Sequence, residues 1–337
     1  MIEKYYSGVI EQIYNRIGKE TRNIVMANYS NDFSIENLEV IRRYQSNEDN
    51  VFFAYSEFSY NTLVGAYEPF LDIICNMHRR FIGGSFDDFQ KECGVYYLHR
   101  QVLNSYYETG ECFREETVLL NEVAYEQRRM TMAIADMLKR LSEVRPLMIV
   151  INRFQMASKS SIETIKYLID NPCANIGIVL GVNAIVKGAD STVEVWDRIV
   201  ESLEDRSAIY YIGSAGPLKN NIKTTNDDEL YITMNFEQSI QEASNIMEFL
   251  DYEQARRGCR IIEHKIKFEN AWIDEKSLRR FYLVYARTSV LLGEMSKAIE
   301  LMNEYKALIP ENDSEHYFSL YYFMKGTCYM YQGKLEK

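Results

Sequence analysis

Over its first 215 or so residues the chain carries five short apolar runs: NIVMA (23–27), VFFAYSEF (51–58), PLMIVI (146–151), NIGIVLGV (175–182) and AIYYIGS (208–214). Three of them are nearly continuous in Val, Ile and Leu. A strand with one wet face alternates apolar and polar side chains, so a continuous run demands cover on both faces. A parallel sheet between two helical layers meets that demand, because parallel neighbours are joined by helical crossovers. Helical periodicity does separate the runs, at 34–46, roughly 66–81, 116–143, 159–170 and 192–204. Residues 1–217 are therefore expected to form an α/β domain in which the five runs make one parallel sheet. Run 23–27 is placed centrally, beside 147–151 or that run's immediate neighbour. The long insert between the second and third runs includes FIGGSFDDFQKECG, read as an irregular surface segment.

Beyond Pro217 the strand pattern nearly stops, and helical patterns occupy 236–250, 252–268, 276–292, 295–308 and 315–331. Two of these stretches repeat each other. FYLVYARTSVLLGEMSKAIELMNEYKALIP has Tyr282, Ala286, Gly293, Ala298 and Pro310 at tetratricopeptide spacing. YYFMKGTCYMYQGKLEK places Tyr322, Gly326, Tyr329 and Gly333 in the same register. Small residues let paired helices approach closely, and a turn glycine closes a helical hairpin. Residues 218–337 are expected to be stacked hairpins of this kind, with Ala286 packed near Ala298 and Gly326 at the equivalent close approach. The chain stops at Lys337 in mid-hairpin, so the natural protein is expected to continue.

Composition narrows the function more by exclusion. A length of 337 residues exceeds one ordinary core, and 47% apolar with 26% charged residues is globular composition. No apolar run approaches the roughly 18 residues of a membrane span, and the N-terminus, MIEKYYSGVIEQIY, is no signal peptide. The six scattered cysteines contain no CxxC pair and suit reduced thiols in a cytoplasmic protein. A net charge of −11 argues against this chain gripping a nucleic-acid backbone.

Residues 24–44 run strand, polar turn, amphipathic helix, which is the layout of a phosphate-binding loop. Yet the turn 27–34, Ala-Asn-Tyr-Ser-Asn-Asp-Phe-Ser, has neither glycine nor lysine. Further on, RPLMIVINRFQMASKSSIETIKYLI (145–169) resembles the second nucleotide motif of STAND-type ATPases of the LuxR and maltose-activator kind. ANIGIVLGVN (174–183) is similar to that family's sensor strand, and GSAGPLK (213–219) to its strand-to-"GPL" junction. A C-terminal tetratricopeptide solenoid is also a property of the family. The resemblance implies a P-loop NTPase fold, and it allows the catalytic positions to be carried over individually. Ala27 takes the first glycine position, Asp32 the last, Phe33 the lysine and Ser34 the hydroxyl. Asn152 stands for the metal-binding acid and Arg153 for the adjacent catalytic acid. Asp32 would repel a phosphate, Phe33 removes the compensating cation, and Arg153 has no base function at any accessible pH. The ATPase site is thus expected to be lost, with no cofactor and no metal bound. The small subdomains that follow the "GPL" junction in the family are reduced or absent, since about 20 residues precede the next helix.

Other constellations have ordinary readings. The four histidines (His78, His99, His264, His316) have no partner at metal spacing. The acidic DDF (87–89) and NDDE (226–229) lack a full calcium loop. GIVLGVNAIVKG has its first glycine inside a strand and so fails as a dinucleotide fingerprint. Tyr317, Phe318, Tyr321, Tyr322, Phe323, Tyr329 and Tyr331 are read mainly as packing between helices. The expectation is a non-catalytic regulatory module, the sensor and scaffold of a bacterial transcription regulator or related signalling protein. Its helical repeats would bind a protein or peptide, with homo-oligomers possible and an output domain beyond residue 337. The rivals are a divergent but working ATPase, separable by ATP titration, and a structural adaptor with no output.

Overall fold

The structure is a computed structural model that describes residues 2–29, 38–46, 50–58, 63–114, 122–183, 193–213, 236–268, 273–310 and 314–334. Five parallel strands, β1 (Ile24–Tyr29), β2 (Phe52–Glu57), β3 (Leu147–Asn152), β4 (Ile176–Asn183) and β5 (Ile209–Ile212), form one sheet in the order β2-β3-β4-β1-β5. Each expected run is a strand. Run 23–27 is internal, between β4 and β5, while β4 itself takes the middle. β3 and β4 are buried along their whole lengths, as their unbroken apolar sequences require.

Two helical layers supply the cover. On one face α1 (Ile2–Arg16) and α2 (Glu39–Ser46) pack through Tyr6, Ile10, Ile13 and Ile41 against Val25, Val150 and Val179. The other face receives α6 (Val123–Val144), α7 (Lys159–Asp170) and α8 (Val193–Glu204). Ile134, Leu138, Ile165 and Ile199 there meet Ile149, Ile178 and Leu180. The segments at 159–170 and 192–204 therefore form helices where their periodicity places them.

The two glycines of GIVLGV have a packing role. Gly177 and Gly181 lie on the α1 side of β4, where added Cβ atoms would come within 2.8 Å of Ile17 and 2.3 Å of the Tyr6 hydroxyl. Bare backbone on this stripe lets α1 settle onto the sheet.

The insert after β2 is more ordered than its sequence suggests. It contains α3 (Phe70–Met77), a π-helical turn (His78–Ile82), α4 (Phe86–Glu92) and α5 (Tyr97–Thr109). The segment expected to be irregular holds a helix, capped by Ser85 accepting from Asp88 N, whose Phe86 and Phe89 are buried around His78. Asp87 and Asp88 engage Lys91, and Asp87 also meets Arg100, so DDF is a helix-start charge cluster.

Five further helices follow among the described residues: α9 (Phe236–Glu248), α10 (Tyr252–Phe268), α11 (Glu275–Leu291), α12 (Met295–Ala307) and α13 (Ser314–Tyr331). Each packs on the next, and α11 also meets α9 and α13. Ala286 and Ala298 are fully buried in the α11–α12 hairpin, which closes through Gly293 at φ +78°. Tyr282 and Tyr329 are half-buried. Gly326 is exposed, and an added Cβ would meet nothing within 4 Å. The partner expected for its close approach lies outside the described residues. One apolar core nevertheless runs from Ile149 and Leu180 through Tyr67 and Phe249 to Phe281 and Cys328. Among the described residues no helix is long and apolar enough to cross a membrane.

Gly181→Ala should destabilise the protein by roughly 1–3 kcal/mol, the usual range for overpacking a filled core. Urea denaturation of the variant beside the native chain measures this, with Gly326→Ala as a neutral or mildly stabilising control at an open helical site.

Candidate functional site

The chain leaves β1 for α2 on the α1 face, but continues from β4 to α8 on the opposite face. Adjacent strands whose chains depart in opposite directions open a crevice at their carboxyl ends, where open α/β sheets bind ligands. The side chains at the β1–β4 crevice and beside it on β3 and β2 therefore define the candidate site.

β1 continues past its apolar run. Ala27 pairs with Gly181 and Tyr210, and Tyr29 pairs with Asn183 and Ile212. Ala27, read as opening the turn, is therefore a buried strand residue held by ladders on both sides. Asp32, Phe33 and Ser34 lie outside the described residues.

At the end of β3, Asn152 is fully buried and its Oδ1 accepts a 2.6 Å hydrogen bond from the Tyr29 hydroxyl. Tyr6 of α1 packs edge-on to Tyr29, with ring centroids 6.2 Å apart. A Cβ on Gly181 would meet both the Tyr6 hydroxyl and Asn152 Oδ1, so β4's glycine makes room for this cluster. Tyr55 donates to Glu57 on β2, and Glu57 stands opposite Asn152 in the β2–β3 register. Burial, followed by the charges of Tyr29, Tyr55 and Glu57, raises the Tyr6 hydroxyl far above the ordinary phenol range. That hydroxyl stays neutral at any physiological pH.

Arg153 follows with φ 55°, a left-handed conformation that turns the chain out of the strand into a 3₁₀ turn, Phe154–Met156. For a side chain larger than Gly this geometry costs about 1 kcal/mol. Its guanidinium pairs with Glu57 Oε1 at 2.7 Å, and both side chains are mostly buried. Arg153 is thus held as one half of an ion pair. Gln155 accepts from Asn183 N at 3.3 Å, tying the turn to the end of β4.

The sequence brings Asn152 and Arg153 to this edge correctly, but misses Tyr6, Tyr29, Tyr55 and Glu57. They come from three separate elements, and only the topology assembles them. Phosphoryl transfer needs cations on the phosphates and an acid on the metal. The described side chains here present phenols, the amides of Asn152 and Gln155, and one guanidinium already neutralised by a carboxylate.

The histidines lie elsewhere. His78 Nδ1 is 3.1 Å from the Tyr107 hydroxyl. His99 Nε2 lies 2.9 Å from Glu126 Oε2, but burial and the guanidiniums of Arg114 and Arg129 push its pKa down to about 3. A neutral imidazole beside a carboxylate is the state that follows. Among the described residues no group of three or more His, Cys, Asp or Glu could hold a metal ion.

No protein-family model matches the chain, and no curated protein matches it.

Tyr29→Phe should cost about 1 kcal/mol, the typical net value of a buried hydrogen bond. Equilibrium denaturation of the variant reads this directly, and an unchanged midpoint would show that the Asn152 contact contributes nothing.

Proposed function

We propose that the chain is a non-catalytic regulatory module, in which a STAND-type α/β unit that has lost its nucleotide chemistry is joined to a tetratricopeptide-like scaffold. The scaffold binds a protein or peptide, and the whole serves as the sensor part of a bacterial transcription regulator or related signalling protein. The observation that carries this reading is the side-chain set at the switch point. Tyr29 donates to Asn152 where the family's metal-binding acid would stand, and Arg153 is held by Glu57 where its catalytic acid would stand. In sequence, Asp32 and Phe33 deprive the preceding loop of its cation.

Binding would fall to α13. Tyr321, Met324 and Cys328 are buried, whereas Tyr322 is 62%, Phe323 71%, Met330 54% and Tyr331 56% exposed. Among the described residues, the aromatic residues of this helix are thus divided between packing and an exposed face. Large apolar side chains grouped on one surface mark interaction sites more often than chance exposure does. Gly326, in the middle of that face, leaves room for a close-packed partner helix.

Calorimetric titration with ATP and magnesium tests the first half, and the expected result is no heat of binding. Phe33→Lys alone should not restore binding, since Asp32, Asn152 and Arg153 remain. Low-micromolar binding by the native chain would overturn the reading in favour of a divergent ATPase. For the second half, replacing Phe323 and Met330 with Ser should lower self-association at matched concentration, followed by light scattering. Equal scattering would remove α13 as the interaction surface.

A further inference from the structure

The helical unit meets the insert of the α/β unit mainly through α9 and the start of α10. Asn245 Nδ2 donates to Gly110 O at 3.0 Å, and its Oδ1 accepts from Cys112 N at 2.9 Å. Gln127 Nε2 donates to Leu250 O at 2.6 Å, and Gln254 Nε2 to Val64 O at 3.4 Å. Phe249 presses against the rings of Tyr67 and Tyr106, at 5.6 and 6.2 Å between centroids.

Within this contact is a cavity of about 330 Å³ that holds three carboxyl groups. Glu68 comes from the turn before α3, Asp72 from the first turn of α3, and Glu242 from α9 across the interface. Gly65 N donates to Glu68 Oε2, and the Tyr106 hydroxyl donates to Asp72 Oδ1, each at 2.9 Å. Glu242 lies so close to the opposing backbone that a Cβ on Gly65 would come within 2.6 Å of its Oε1.

The titratable groups facing Glu242 from the α/β unit are Glu68, Asp72, Tyr106 and Cys112. From the helices packed on α9, neither α10 nor α11 supplies a charge that offsets it. Arg280 of α11 is turned toward Gln241 and lies 4.0 Å from Glu111. Among the described residues, three carboxyls thus share a partly enclosed space with no cation directed into it.

We propose that this cluster makes the seating of α9 on the α/β unit proton-dependent, so that a proton held between Glu68 and Glu242 closes the contact and its loss loosens it. Neighbouring carboxylates in a desolvated space repel, and protonating one relieves both the repulsion and the burial cost. Burial, then Glu68, then Asp72 raise the Glu242 carboxyl from 4.5 to about 7. Glu68 is also raised, by burial first and Asp72 second, against the Gly65 N–H that favours its charged form. The seated state therefore binds the proton more tightly than the open one. Its contribution is fully present below about 4.5 and is lost as pH rises through about 7. This runs opposite to the usual acid destabilisation of proteins and goes beyond the regulatory reading above, on which it does not depend.

The test is hydrogen–deuterium exchange of the whole chain across about pH 6 to 8.5, corrected for intrinsic exchange, a window that brackets the expected titration. Amides of α9 should lose protection by about tenfold, the equivalent of one pKa unit. Glu242→Gln, which keeps shape and removes charge, should flatten that dependence. Equal pH dependence in native and variant, or none in the native chain, would overturn the proposal. Should the variant fail to fold, carbon-13 NMR titration of the native glutamate carboxyls decides instead. A Glu242 midpoint near 7 supports the proposal, and one in the ordinary carboxylate range overturns it.

Discussion

Burial of β3 and β4 on both faces is the constraint on which the rest depends. A strand that is apolar on each side forces helices onto each side, and the chain must cross between layers to supply them. α1 and α2 take one face, and α6, α7 and α8 the other. Since β1 lies between β4 and β5, that division also creates the switch point at the carboxyl edge. The same requirement shapes β4 in detail. Gly177 and Gly181 remove side chains on one face so that α1 can reach the sheet, while Ile178, Leu180 and Val182 fill the other.

That geometry also accounts for the chemistry at the edge. A buried strand end in an open α/β sheet is a place where polar atoms gather away from water, so each needs a partner. In nucleotide-binding proteins a phosphate and its metal can fill that need. Here the partners are internal: a phenol for the Asn152 amide and a carboxylate for Arg153. A fold can keep the crevice and close it with its own side chains, because hydrogen-bond satisfaction is local whereas the sheet is held by its two apolar layers.

What was legible in the sequence follows from the range of the signals. The five strands and the helices α2, α3 and α6 through α13 are readable because apolar continuity and helical periodicity are properties of adjacent residues. β1 ran two residues further than its apolar run, since Asn28 and Tyr29 are held by ladders to β4 and β5 that a single strand does not display. α1 stands outside the expected helices, although Tyr6, Val9, Ile10 and Ile13 have helical spacing and the same-face glycines of β4 call for a close neighbour. The insert hid α4 behind FIGGSF, because its glycines precede a Ser-capped helix. At the candidate site, Asn152 and Arg153 stood out by type and position. Tyr6, Tyr29 and Glu57 did not, being ordinary residues made relevant by contacts between separate elements, as in the hydrogen bond of Tyr29 to Asn152 and the ion pair of Glu57 with Arg153. The Glu68–Asp72–Glu242 cavity is beyond sequence reading for the same reason.

The unbroken core between the sheet and the helices ties the first helices of the array to the α/β unit. Stacked helical hairpins, left alone, fray from either end, because each unit holds only its neighbours. Here α9 is clamped by Asn245, Phe249 and Gln127 onto the α/β unit. Loosening α9 therefore bares apolar surface on both sides of the contact at once, and the sheet's insert and the first helices gain or lose protection together.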